Sequence, residues 1–142
     1  MPTSLCGTPV DPALVKAVLP GGDSIASAKS RLSGGATRCD VTVDGKAALS
    51  LTQSWWNERD TTAMVSEGYA GMDGGTLSDD GRFVYTGKAG VGKTSSCTSP
   101  EHPEQNLYAV VQVSDSGTDD QTVMKRLIVD YTKAVEQSAA CE

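Results

Sequence analysis

Apolar residues recur every three or four positions near the start of the chain, which is the spacing of one helix face. Their positions are Leu14, Val15, Val18 and Leu19. Asp11 precedes them as a residue type that caps helices, Pro12 suits the first helical position, and Pro20 ends a helix. We therefore predict a short helix between Asp11 and Pro20.

A second and longer helical pattern lies near the end of the chain. Thr118 and Gln121 form a capping-box pair at its start, and Asp119 and Asp120 suit the positive end of a helix dipole. The apolar positions that follow are Val123, Met124, Leu127, Ile128, Tyr131, Ala134 and Val135. Because these positions share one face, we predict an amphipathic helix that packs on the core and ends before Cys141.

Alternation of apolar and polar residues marks a hairpin in the first half of the chain. The apolar positions are Cys39, Val41 and Val43 on one strand and Ala47, Leu49 and Leu51 on the other. Asp44 and Gly45 separate the two runs and supply the two-residue turn that matches the twist of the strands. The pattern predicts an antiparallel pair with Cys39 on its buried face.

The remaining segments have weaker patterns. Residues 21–35 are rich in Gly, Ser and Ala, and we predict a connection there, with a weak helical turn over 26–32. The other predicted elements are a short helix capped by Asp60, a turn-rich loop at 73–82, and strands at 83–86 and 107–113. This order predicts an α+β fold, in which an antiparallel sheet of about four to five strands carries the N-terminal and C-terminal helices on one face. The length fits a single domain over residues 1–142.

Four widely separated cysteines restrict the class of protein. They are Cys6, Cys39, Cys97 and Cys141. Metal sites need ligands at short spacings, and without a C-x-x-C pair we expect no metal. An even set favours two disulfides in an oxidising compartment, whereas four free thiols in a cytosolic protein are the alternative. Of the three pairings we favour Cys6–Cys39 and Cys97–Cys141, because each closes a loop within one half of the chain and holds one end.

Charge and hydropathy exclude several partners. The net charge of −6 argues against nucleic acid, whose phosphates require a basic surface. No apolar run is long enough to cross a bilayer, so we expect no direct membrane insertion of this segment. The first residues lack the basic and apolar regions of a signal peptide, and we expect a targeting segment to have been removed.

The stretch GKAGVGKTSSC resembles a phosphate-binding loop. Its matching positions are Gly87, Gly92, Lys93 and Thr94. Such a loop needs a helix that starts at the Lys-Thr pair, but Pro100 and Pro103 follow too closely for a helix of useful length. We therefore reject a nucleotide-binding function and predict a glycine-rich turn whose return strand carries Cys97.

The only histidine is the candidate for an enzymatic function. His102 lies between Pro100 and Pro103 in a predicted loop, and Glu101 and Glu104 are the nearest charged residues. A small secreted hydrolase that uses His102 is the alternative hypothesis, although no G-x-S-x-G nucleophile motif occurs. The acidic stretches at 73–81 and 115–120 do not match an EF-hand loop and are read as turns, so no cofactor is predicted.

Trp55 and Trp56 are the candidate partner-binding residues. Adjacent side chains on a strand point to opposite faces, so one Trp should be core and the other exposed or covered by a loop. An exposed Trp beside Glu58 and Arg59 could anchor a protein or a carbohydrate. Core packing is the favoured role of the pair, and partner binding is the candidate functional role.

Three stretches give the chain a family resemblance. They are CGTPVDPALVKAVLP, CDVTVDGKAALSL and LIVDYTKAVEQSAAC. By cysteine placement and element order, the chain resembles uncharacterised secreted and lipoprotein domains of Streptomyces and related actinobacteria. The resemblance implies an extracytoplasmic α+β domain, often tethered to the membrane and without assigned catalysis. It assigns no functional residues, and Leu5 before Cys6 departs from the lipoprotein pattern.

These patterns together predict a class and a compartment. We expect a non-enzymatic domain, secreted or tethered at the cell envelope, that binds a protein or a small ligand at the cell surface. The motivation is the cysteine set, the acidic composition and the lack of an assembled catalytic motif.

Overall fold

A seven-stranded antiparallel sheet carries the fold. The computed structural model describes residues 2–95, 97–114, 119–138 and 141. Within these ranges the strands are β1 (Ser4–Leu5), β2 (Thr8–Pro9), β3 (Ile25–Arg31), β4 (Thr37–Val43), β5 (Lys46–Asn57), β6 (Thr76–Leu77), β7 (Phe83–Tyr85), β8 (Ala89–Lys93) and β9 (Gln105–Val113). The helices are α1 (Pro12–Val18), α2 (Thr62–Ser66) and α3 (Gln121–Glu136), with a short 3₁₀ turn at Ser33–Gly35.

The strand order confirms an α+β fold but corrects the number of strands. The order across the sheet is β3-β4-β5-β9-β8-β7-β6, and every neighbouring pair is antiparallel. Strands β1 and β2 form a separate antiparallel pair. The prediction of four to five strands was wrong because the two edge strands lack a readable pattern. Strand β3 replaces the predicted connection and weak helical turn, and it is exposed on both faces, so no alternation marks it. Strand β6 has two residues, too few to show a period.

Both predicted terminal helices are present. The Asp11 side chain accepts a hydrogen bond from the Ala13 N–H at the start of α1 (2.9 Å), which confirms it as the N-cap. For α3 the N-cap is Asp120, whose carboxylate accepts from the N–H groups of Thr122 and Val123. The predicted capping box was therefore wrong at its first position, and Thr118 lies outside the described residues.

The predicted hairpin is confirmed, with one shift. Asp44 and Gly45 both have positive φ (51° and 80°), as the tight turn between β4 and β5 requires. The pairing passes from Val41 opposite Leu49 to Thr42 opposite Ala47, which leaves Ala48 as a bulge. The bulge changes the phase of the strand, so Ala48 is buried and Ala47, predicted on the apolar face, is exposed.

Two apolar clusters lie on opposite faces of the sheet. The first places α1 and α3 against the sheet at Val15, Val18, Val41, Leu49, Leu51, Leu107, Val111, Met124, Leu127, Ile128, Tyr131 and Val135. The second lies under α2 and consists of Val65, Met72, Val84, Ala89, Val91, Tyr108 and Val110. The terminal helices thus share one face as predicted, while α2 covers part of the other. Its N-cap is Thr61 rather than the predicted Asp60.

Two disulfides hold the two ends of the chain, one on strand β4 and the other on the loop that follows β8. Cys6 bonds to Cys39 on β4 and Cys97 bonds to Cys141, as predicted from their placement. The corresponding Cα atoms lie 5.9 Å and 4.7 Å apart. Cys97 follows the end of β8 and is not in a strand, so the predicted return strand that carries Cys97 was wrong.

Within the described residues no helix has the length and apolar character needed to cross a membrane.

Candidate functional site

The phosphate-loop match lies in a strand and the turn before it. Gly87 belongs to the turn between β7 and β8, whereas Gly90 and Gly92, also predicted in that turn, are inside β8. Helix α3 crosses β8 so closely that a Cβ on Gly90 would lie 2.9 Å from the Cβ of Ile128. These glycines serve helix packing. Lys93 ends the strand where a phosphate loop would begin its helix.

Thr94 is also committed to the fold. Its hydroxyl donates to the Leu107 carbonyl (2.7 Å), and the side chain is buried. The Lys93 carbonyl accepts two hydrogen bonds from the Arg82 guanidinium. The Thr94 hydroxyl and the Lys93 carbonyl are thus both engaged in hydrogen bonds within the fold.

The structure brings together Trp55 and His102, which the sequence did not connect. Their rings are stacked, with centroids 4.5 Å apart and an angle of 8° between the planes. The His102 Nδ1 lies 3.0 Å from the Gln105 Oε1. On the ring's Nε2 side, a Cβ added to Gly35 would lie 2.7 Å from that nitrogen, so the backbone approaches it closely.

The described contacts of the His102 ring are to an amide oxygen and to an aromatic ring. Among the described residues, the hydrogen-bond partner of its ring is an amide, and neither a hydroxyl nucleophile nor a carboxylate bonds to it. A catalytic histidine needs a proton donor or acceptor within hydrogen-bond reach. The contacts observed are those of a packed loop residue.

Trp56 points to the opposite face, as the strand geometry predicts. It is half-buried, its ring centroid is 6.3 Å from that of Tyr69, and the two planes are tilted by 58°. A Cβ on Gly68 would lie 3.2 Å from the indole ring. The segment after α2 therefore covers Trp56, whose buried indole N–H has no hydrogen-bond partner among the described residues. Neither Trp is a fully exposed anchor.

A cleft of about 310 Å³ lies beside this covered face, between α2 and β6. We call it the α2–β6 cleft, and the lining residues that matter here are Ser66, Glu67, Tyr69, Met72, Asp73 and Leu77. Tyr69 joins the cleft to the Trp56 packing. Met72 is buried, whereas Leu77 is 52% exposed. The cleft thus offers an aromatic ring and an apolar patch to a ligand.

The charge of the cleft is negative. Glu67 and Asp73 both line it and are both exposed, and no lysine or arginine is among its lining residues. A turn closed by the Gly75 N–H and the Met72 carbonyl (3.1 Å) holds Asp73 beside the cleft. Carboxylates beside an aromatic ring and a thioether favour a ligand with a cationic head and an apolar body.

Sequence patterns did not find this cleft. The pattern predicts the helix that forms the first wall, but over residues 73–82 it predicts only turns. The signal that was available is the pair of carboxylates flanking Tyr69 and Met72, and only the chain reversal after α2 shows that they line one cavity. In the described ranges no group of three or more His, Cys, Asp or Glu side chains is placed to hold a metal ion.

No protein-family model, curated protein or solved structure matches this chain.

Proposed function

We propose that this protein is a non-enzymatic, extracytoplasmic binding domain whose ligand enters the α2–β6 cleft. The ligand class that the cleft favours is a small amine, or a basic side chain of a partner protein, with an apolar portion. The observation that carries the proposal is the combination of Tyr69 and Met72 with the carboxylates of Glu67 and Asp73 in one cavity of about 310 Å³. This volume lies in the range of small-molecule sites.

The electrostatics of the whole chain support the same ligand class. The net charge of −6 attracts cations to the surface, and the lining of the cleft adds two carboxylates without a compensating cation. A carboxylate ligand of the same size would meet repulsion from both. Selectivity for charge sign is therefore the first property to measure.

Two disulfides support the extracytoplasmic location. Such bonds persist in oxidising compartments and are rare in the cytosol. We propose that the domain is either secreted or tethered at the cell envelope, the two locations that the family resemblance implies. Mass spectrometry of the protein isolated from its source, alkylated without reductant, tests this location. We expect no alkylated cysteine, and four alkylated cysteines would contradict the location.

The absence of catalysis is likewise proposed, on the contacts of His102. Its ring is stacked on Trp55 and bonded to Gln105, so its role in the proposal is structural. We expect the purified wild type to hydrolyse neither ester nor peptide substrates. A hydrolytic activity that His102→Ala abolishes would contradict the proposal and favour the hydrolase hypothesis.

Nuclear magnetic resonance locates the ligand site. Hexylammonium is titrated into ¹⁵N-labelled protein, with hexanoate as a control of equal length and opposite charge. We expect chemical-shift changes concentrated at residues 66–77 with hexylammonium and none of that size with hexanoate. Changes centred elsewhere, or equal responses to both probes, would contradict the proposed site.

A further inference from the structure

Strand β3 leaves a long open edge on the sheet. It contains seven residues and pairs with β4 on one side only. The other edge of the same sheet, β6, is two residues long. A long edge strand presents unpaired peptide groups to which another strand can bind.

The hydrogen-bond register shows which peptide groups of β3 face outward. The Asp44 N–H donates to the Ser24 carbonyl and the Leu32 N–H donates to the Ala36 carbonyl, both at 2.8 Å. Both pairs continue the β3–β4 register, so the even-numbered residues between 24 and 32 direct their peptide groups toward β4. The outward-directed residues are Ile25, Ser27, Lys29 and Arg31.

Two cations stand over this open edge. Lys29 is opposite Cys39 and Arg31 is opposite Thr37, so neither faces a carboxylate across the β3–β4 pair. Within the described part of the chain, neither forms an ion pair. They are two residues apart and therefore on the same face of β3. This face is positively charged, although the protein as a whole is acidic.

The side chains on the other face of β3 are small. They belong to Ala26, Ala28 and Ser30, opposite Thr42, Asp40 and Arg38. Arg38 and Asp40 pair with each other at 3.1 Å and so remain engaged within β4. The small side chains on this face leave room for the side chains of a bound strand. Its charged contacts would form on the other face, with Lys29 and Arg31.

We propose that β3 is a docking edge for an extended peptide segment of a partner protein that carries carboxylates on alternate residues. The segment adds an eighth strand to the sheet through the peptide groups of the four outward-directed residues. Two carboxylates spaced by one residue reach Lys29 and Arg31 together, whatever the direction of the added strand. A second copy of this chain is disfavoured, because it would bring two further cations to the same ribbon. This surface is separate from the α2–β6 cleft, so either site can fail without the other.

Amide hydrogen exchange with a defined peptide tests the docking edge. The probe is a blocked nine-residue peptide that alternates threonine with glutamate, and its control alternates threonine with lysine. In the free protein we expect the amides of Ala26, Ala28 and Ser30 to be protected and the outward amides to exchange freely. Millimolar glutamate peptide should slow exchange at the outward amides by about tenfold or more, and the lysine peptide should not.

Charge and backbone variants separate the two contributions. The double variant Lys29→Glu with Arg31→Glu should lower the affinity for the glutamate peptide by about tenfold. The control variant Lys16→Glu with Lys133→Glu, at exposed positions away from β3, should change this affinity less than about twofold. Ser27→Pro removes an outward N–H without removing a bond to β4, so it should retain the cooperative unfolding of the wild type and lose binding.

Three results would overturn the proposal. One is no protection of the outward amides at millimolar glutamate peptide. Another is equal protection by the lysine peptide. The third is protection that rises with protein concentration in the absence of peptide, since this would identify a second copy as the occupant.

Discussion

The rings of Trp55 and His102 are stacked 4.5 Å apart, and this contact joins strand β5 to the loop that precedes β9. The loop also contains Cys97, which the disulfide ties to Cys141 beyond α3. The loop between β8 and β9 is thus held by an aromatic contact to β5 and by a disulfide to the C-terminal end of the chain. The contacts of the chain's only histidine therefore predict a structural role, which a stability measurement can test.

Replacing His102 should destabilise the fold modestly. His102→Ala removes the stacking on Trp55 and the bond to Gln105, and we expect the free energy of unfolding to fall by about 1–2 kcal/mol. His102→Phe keeps a ring in the stack and should recover part of that loss. Urea denaturation measures both. Equal stability of the alanine variant and the wild type would show that the stack is not structural.

The glycines of β8 should be intolerant of a methyl group. A Cβ on Gly92 would meet the Thr132 hydroxyl and lie 3.0 Å from the Phe83 ring. Gly92→Ala should therefore lower the free energy of unfolding by about 1–3 kcal/mol through overpacking. Gly21→Ala is the matched control, because its Cβ would meet no atom within 4 Å and its φ is not positive.

Thermal denaturation of both glycine variants decides between two roles for this segment. A loss at Gly92 without one at Gly21 is expected if helix packing selects the glycines. If Gly92→Ala were as stable as the wild type, the close approach of α3 to β8 would be wrong.

Tyr131 should make the protein less stable at alkaline pH. Burial raises its pKa to about 12, while the Gln53 side chain opposes the shift through a hydrogen bond to the phenol. In the unfolded chain the pKa of tyrosine is about 10. The folded state therefore keeps a proton that the unfolded state loses between these values, and stability falls as pH rises through this window. The contribution is present in full below pH 10 or so.

The size of this effect can be isolated by substitution. The two-unit difference corresponds to about 2–3 kcal/mol lost by about pH 12. Burial also raises the pKa of Tyr108, so the wild type and Tyr131→Phe share this second source of alkaline sensitivity and only their difference reports on Tyr131. Denaturation of the wild type and Tyr131→Phe at several pH values from 9 to 11.5 gives the difference. The variant should lose less stability over that range, and parallel curves would contradict the buried phenol.

Elements with strong periodicity could be predicted from the sequence. Helix α1 has proline and aspartate at its start and α3 has one long apolar face, so both were found. The hairpin was found because Asp44-Gly45 separates two alternating runs. The cysteine pairing followed from the same elements, since each bond joins a terminus to the half of the chain beside it.

The elements that were missed have a physical reason in common. Strand β3 buries neither face, so no selection for alternating apolar residues acts on it and its Ala and Ser composition resembles a loop. The bulge at Ala48 reverses which residues of β5 face the core, and a search for strict alternation of apolar and polar residues does not detect it. Both features depend on pairing with β4, a tertiary contact rather than a local preference.

The candidate site could be predicted only in part. Trp55 and Trp56 were correctly placed on opposite faces, because the two-residue period of a strand requires it. The stacking of His102 on Trp55 and the joining of Glu67 and Asp73 in one cleft depend on how loops return to the sheet. Loop paths of this kind have no period in the sequence.

The binding of hexylammonium, measured by calorimetry on three proteins, tests the central claim most directly. Glu67→Gln with Asp73→Asn removes both carboxylates of the α2–β6 cleft and keeps their size. Glu101→Gln with Glu104→Gln removes the same charge from exposed positions outside it. We predict that the first pair weakens binding by about five- to tenfold relative to the wild type, and that the second changes it less than about twofold. Equal affinities for all three proteins would contradict a binding function of this cleft.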